Sequence, residues 1–222
     1  MSHTAVSTIS VPALSTNKLI RNTYSLLSMT LIFSALTATA SVFVEMPPMA
    51  YLLSLGGAML LIFFVLPRTA NSAAGLGVVF GITGLMGFGL GPILSQYLAL
   101  PNGGQLIATA FGGTGVIFLS LSAYALTTRK DFSFMGGFLM TGMMVIIIAA
   151  LANIFMQMPL ISLVISSVVI MLMSGFILYD TSRMINGSEN NYIHMTVSLY
   201  LSLFNIFISL LQILGAFAGN DD

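Results

Sequence analysis

Between Leu160 and Arg183 the chain runs through one long apolar stretch, and the only acid in it is Asp180. A carboxyl in membrane-type sequence is costly unless paired, protonated or wetted, so it marks a candidate ion or proton site. What surrounds it is hydroxyl and amide rather than further charge. In the last apolar stretch Ser198, Ser202, Asn205, Ser209 and Gln212 are spaced four, three, four and three apart, which places them on one helical stripe. Thr30, Ser34, Thr37 and Ser41 repeat the pattern in the first stretch. Ser162 and Ser166 lie within about 40° of Asp180 at roughly 100° per residue.

Two readings of these groups stay open. Lipid satisfies no polar group, so the stripes either bond to neighbouring helices or line a wetted path. In the second reading Asp180, Ser202 and Asn205 form a site for a cation or a proton. A helix ending at Asn186 puts Asp180 about 9 Å below the surface at 1.5 Å per residue, with Ser202 of the next helix close to level with it. In the first reading Asp180 is a structural contact to hydroxyls or to Arg183.

Other chemistry is excluded by residue type. The only lysines, Lys18 and Lys130, flank the apolar stretches, which leaves no lysine for a retinal Schiff base. Of the two histidines, His3 lies in the N-terminal tail and His194 at the very start of the last stretch, and there is no cysteine. Neither a Ser-His dyad nor a histidine or thiolate metal centre can therefore form within the spans. A single intramembrane acid makes no aspartyl pair, and no glycine-rich phosphate loop is present. The expectation is a protein without catalytic residues, resident metal or cofactor.

The elements that must position these groups follow from composition. Of 222 residues, 57% are hydrophobic and 5% charged, and the mean hydropathy is +1.03, far from soluble composition. The expected fold class is all-α: a polytopic membrane protein whose partner is the lipid bilayer. Six basic and six acidic residues cancel, and no basic run could neutralise a phosphate backbone, so nucleic acid is no partner.

Seven stretches are long enough to span a bilayer, which takes roughly 20 apolar residues. They run over residues 24–44, 49–66, 75–95, 105–126, 134–156, 160–186 and 193–217, forming a domain of residues 18–217 between a flexible tail, 1–17, and a short tail, 218–222. The first resembles a signal peptide, with Lys18 and Arg21 before it and Ala38-Thr39-Ala40 near its end. The apolar run continues through Val44, so we read it as a retained helix. Gly77, Gly81, Gly84, Gly87 and Gly91 share one stripe of the third, where a neighbouring helix should approach closely. Gln157-Met-Pro159 leaves room only for a tight hairpin between the fifth and sixth, and Gly187 should cap the sixth.

With the N-terminus inside, Lys18, Arg21, Arg68, Arg129, Lys130 and Arg183 all fall in inner segments, and the outer loops hold no basic residue. The positive-inside rule thus predicts a cytoplasmic N-terminus and a periplasmic C-terminus, with Arg129, Lys130 and Asp131 forming the most charged inner loop.

Four segments together resemble the Bax-inhibitor (TMBIM) family, most closely its bacterial YccA branch. They are Lys18 to Leu27, Gly89 to Leu94, Ser122 to Gly137 with Thr-Thr-Arg-Lys-Asp-Phe-Ser-Phe, and Val197 to Phe207 with Leu-Tyr-Leu-Ser-Leu-Phe-Asn-Ile-Phe. The resemblance implies six helices around a central one and, in several members, a pH-sensitive calcium leak gated by two facing aspartates. Asp180 matches one of them; Ser202 stands where the other would be, so the shared-proton latch is not carried over. The branch resemblance implies instead an inner-membrane protein that binds and modulates the membrane-anchored AAA+ protease FtsH. A polar N-terminal tail could serve such a partner as a handle.

Overall fold

The computed structural model describes residues 11–218, all but the connections being helical and none of the described residues forming a strand. Seven helices are long and apolar enough to cross a membrane. They are α1 (Val11–Phe43), α2 (Met49–Thr69), α3 (Ala74–Leu98), α4 (Gly103–Thr128), α5 (Gly136–Met156), α6 (Pro159–Ile185) and α7 (Tyr192–Ala218). Helix α1 begins at Val11, inside the segment expected to be a tail; residues 1–10 and 219–222 lie outside the described residues.

Helix α7 is the hub. Helices α1, α3, α4 and α6 pack directly against it, whereas α2 lies on α3 and α5 lies on α6. The innermost side chains come largely from α7: Ile193, Leu199, Tyr200, Ile206 and Leu211 are all buried. The α5 face carries the opposite signature, with Phe138, Ile148 and Phe155 exposed as lipid-facing side chains must be.

Helix α2 continues three residues past the expected stop at Leu66, because Leu61–Val65 opens into a π turn ahead of Pro67. Proline lacks an N–H and its ring would strike the carbonyl four residues back, and the wider turn relieves that conflict. The Arg68 guanidinium bonds the Phe64 carbonyl.

The glycine stripe of α3 meets two helices. A Cβ on Gly84 would come within 2.7 Å of the Phe33 ring; on Gly87 it would strike the Ser34 carbonyl, and on Gly91 the Ser41 side chain and backbone. Those three bring α1 close. Gly81 faces Leu61 of α2 at 3.2 Å, and Gly77 faces open space.

At one end of the bundle, two caps fix the turn between α6 and α7. Gly187 has φ +72, and Ser188 N–H donates to the Arg183 carbonyl at 3.0 Å, which closes α6 in a Schellman arrangement. Asn191 then caps α7: its Oδ1 accepts from the N–H groups of Ile193 (2.9 Å) and His194 (3.2 Å). The same side chain donates to the Ala70 carbonyl (3.0 Å) and Asn71 Oδ1 (2.8 Å), tying this turn to the one between α2 and α3.

Candidate functional site

Because α6 ends at Ile185 and α7 starts at Tyr192, helix length sets which residues stand level. Asp180 lies five residues, about 7.5 Å, inside α6, and Ser198 six residues, about 9 Å, inside α7. Ser202 lies a further turn along. Asp180 is 2% exposed, and Ser198 Oγ donates to its Oδ2 at 2.5 Å.

Arg183 forms its ion pair with Glu189, at 3.1 Å, rather than with Asp180. Its guanidinium lies 5.4 Å from the centre of the Tyr179 ring, and both members of the pair are about a quarter exposed. Of the partners expected for Asp180, the structure shows a hydroxyl.

Elsewhere on the α7 stripe, the bonds run within its own helix or to α6. Ser202 and Ser209 are buried, and the Asn205 amide donates to the Leu201 carbonyl of its own helix at 2.8 Å. Near the other end, Gln212 Oε1 accepts from Ser166 Oγ at 2.6 Å. Helices α6 and α7 are thus joined by polar contacts near both ends. Ser162, though on the Asp180 side of α6 by angle, accepts from Asn153 of α5 at 2.7 Å.

The α1 stripe belongs to a different interface. Thr30 and Thr37 donate to the Leu27 and Ser34 carbonyls of their own helix, both at 2.9 Å, and Ser34 lies 2.6 Å from the Tyr200 hydroxyl. Tyr200 in turn donates to the Thr83 carbonyl at 3.3 Å, so its single proton is used there and Ser34 Oγ is the donor between them. This chain links α1, α7 and α3. Tyr200 is two residues from Ser198, roughly 200° around α7, so the chain and the Asp180 contact lie on opposite sides of that helix. The structure brings together Asp180 with Ser198 and Ser34 with Tyr200; it does not bring the two stripes together.

The charged loop between α4 and α5 docks through a residue that sequence reasoning passed over. Ser182 is fully buried; its Oγ accepts from the N–H of Phe132 (2.9 Å) and from Asn186 Nδ2 (3.2 Å) and donates to the Lys130 carbonyl (3.2 Å). Asp131 accepts from the Ser133 hydroxyl (2.5 Å) and N–H (2.8 Å), which holds its carboxyl below the usual carboxylate range. Arg129, in the left-handed region at φ 51, and Lys130 are left exposed. A serine two residues beyond an intramembrane acid, facing a charged loop, was the available signal. Asn191, with its double role as cap and cross-link, was also missed.

Among the described residues, no group of three or more His, Cys, Asp or Glu side chains could hold a metal ion. A lone carboxyl with one hydroxyl can exchange a proton or anchor two helices, and it is a poor site for a hard divalent cation.

Residues 16–219 match the family described as inhibitor of apoptosis-promoting Bax1. An Escherichia coli K12 protein named modulator of FtsH protease YccA is 53% identical over 208 residues, covering 94% of each chain. An uncharacterised membrane protein of Vibrio cholerae is 50% identical over 208 residues, covering 94% of this chain and 93% of its own. An uncharacterised protein of Pseudomonas aeruginosa is 48% identical over 204 residues, covering 91% and 90%. With the family matched along nearly the whole chain and seven membrane-length helices in place, this protein is a member of the Bax-inhibitor family.

Proposed function

We propose that this chain is a non-enzymatic protein of the bacterial inner membrane that binds and modulates a membrane-anchored AAA+ protease of the FtsH type. The observation that carries the reading is the 53% identity, over 94% of both chains, to a protein named as a modulator of FtsH protease. The distribution of charge supports a cytoplasmic N-terminus, because every lysine and arginine then falls on the cytoplasmic side. The residues ahead of α1 are the contact handle in this reading, and the Arg129-Lys130-Asp131 loop lies on the same face.

The experiment follows turnover of a membrane substrate of the protease in cells with and without this chain. Expression of the full chain should slow turnover, and the chain should co-purify with the protease. Deleting residues 2–10 leaves α1 whole and should abolish the effect at unchanged protein level. Unaltered turnover with the full chain ends the reading; an equally effective deletion variant ends only the handle.

A second reading, a pH-sensitive cation or proton leak, draws on one observation, the buried Asp180 held by a single hydroxyl. In liposomes it requires a pH-dependent flux that Asp180→Asn changes. Wild-type protein with no flux disposes of it.

A further inference from the structure

The backbones of α1 and α4 stand apart, bridged where Tyr24 meets Phe118 with ring centres 5.7 Å from each other. Beside that bridge lies a crevice of 320 Å³ whose walls are α1 and α4 and whose floor is α3 and α7, with Leu90, Leu203 and Phe204 at its base. We propose that this crevice is a binding site for one acyl chain of a membrane phospholipid.

Three observations fix the class of occupant. The first is polarity: no charged residue lines the crevice, and each of its four polar side chains is already satisfied. Ser34 bonds to Tyr200, Tyr200 donates to the Thr83 carbonyl, Thr39 donates to the Ala35 carbonyl (2.8 Å) and Thr114 to the Ala110 carbonyl (2.7 Å). A polar solute would give up hydration there without gaining a hydrogen bond, and an apolar cavity of this kind does not hold water.

The second is position. The rim carries Ala35 and Thr39 of α1 and Phe111 of α4, all exposed on helices of membrane length, so the medium at the mouth is hydrocarbon. The third is size. Along α1 the crevice runs only from Leu31 to Thr39, about 12 Å at 1.5 Å per residue, so a transmembrane helix, about 30 Å long, cannot lie along it, whereas part of a flexible alkyl chain can. At Gly115 an added Cβ meets nothing within 4 Å, which marks unfilled space along the α4 wall. A chain lying there reaches the middle of α7, around which α1, α3, α4 and α6 pack.

The absence of tryptophan supplies the test. Phe207→Trp puts a single indole in the crevice wall on α7, and Phe155→Trp puts one on the exposed face of α5, where the native side chain is 87% exposed. Each full-length variant is reconstituted into phosphatidylcholine vesicles with brominated or unbrominated acyl chains. The Phe207→Trp emission should be quenched by bromine to an extent comparable to that of Phe155→Trp. Adding Gly115→Leu, which fills the crevice from α4, should cut the quenching at position 207 by about twofold or more and leave position 155 unchanged. Should Phe207→Trp fail to insert, Ile107→Trp on the α4 wall gives the same reading. Indole emission in the crevice that bromine does not touch, or quenching indifferent to Gly115→Leu, overturns the proposal.

Discussion

Asp180 takes its hydrogen bond from Ser198, at 2.5 Å, rather than from Ser202 one turn further along α7. The difference is a matter of helix ends: with α6 stopping at Ile185 and α7 capped by Asn191, the acid and Ser198 come level. The contact therefore works as a bolt between α6 and the hub.

Ser198→Ala should cost about 1–3 kcal/mol, because it leaves a buried carboxyl without its donor. Asp180→Asn keeps an oxygen to accept from Ser198 and should cost less. Ser202→Ala should be milder than Ser198→Ala. Reversible unfolding in detergent by SDS titration gives the order, and Ser202→Ala as the most damaging of the three would move the contact to the other serine.

Gly87→Ala should be the most disruptive of the α3 glycine substitutions that spare Gly91. Its new methyl group is aimed at the Ser34 backbone carbonyl, which cannot turn aside as a side chain can. Overpacking of this kind costs about 1–3 kcal/mol. Gly77→Ala is the matched control: it meets open space and gains helix propensity of about 1 kcal/mol. Thermal denaturation in detergent should lower the midpoint for position 87 and hold or raise it for position 77; equal effects would remove α1 as the cause.

The loop between α4 and α5 carries a pH dependence set by Asp131. The Ser133 hydroxyl, and then its N–H, lower the Asp131 pKa in the folded protein. A depressed carboxyl stabilises above its unfolded value, about 3.9, and the stabilisation is lost as pH falls through the lower folded value. Exchange of the Ser133 amide, corrected for its intrinsic rate, should stay flat from about pH 8 to about pH 5 and rise only below about pH 4. Asp131→Asn should abolish that acid-side step, and an Asp131 titration centred above the ordinary value would contradict the geometry.

The positions of the membrane helices were legible because a bilayer imposes one requirement, roughly 20 apolar residues in succession, and every span but the first lies within a few residues of its observed ends, α1 starting at Val11 rather than at residue 24. The glycine spacing of α3 announced a close approach, but it could not name the partner. Gly84, Gly87 and Gly91 face α1 while Gly81 faces α2, an assignment that depends on which helices lie side by side. The two hydroxyl stripes looked alike in spacing. One turned out to meet the glycines of α3 and the other the face of α6, since spacing reports a common face and is silent on what it faces. Asp180 was legible as the residue to watch, and its partner was not, because the level of two antiparallel helices shifts by 1.5 Å for each residue in the turn that joins them. Asn191 and Ser182 escaped notice for a related reason: an asparagine in a polar turn and a serine near a helix end are commonplace until the opposing carbonyls are in view.

A π turn is an α turn with one residue to spare, and in α2 that spare residue lies between Leu61 and Val65. A chain lacking any one residue of that stretch could revert to an ordinary helix without moving the segments on either side. If Pro67 were replaced at the same time, nothing would call for the extra residue. Length variation among related chains has a natural home there, in the middle of a membrane span, where insertions and deletions are otherwise poorly tolerated.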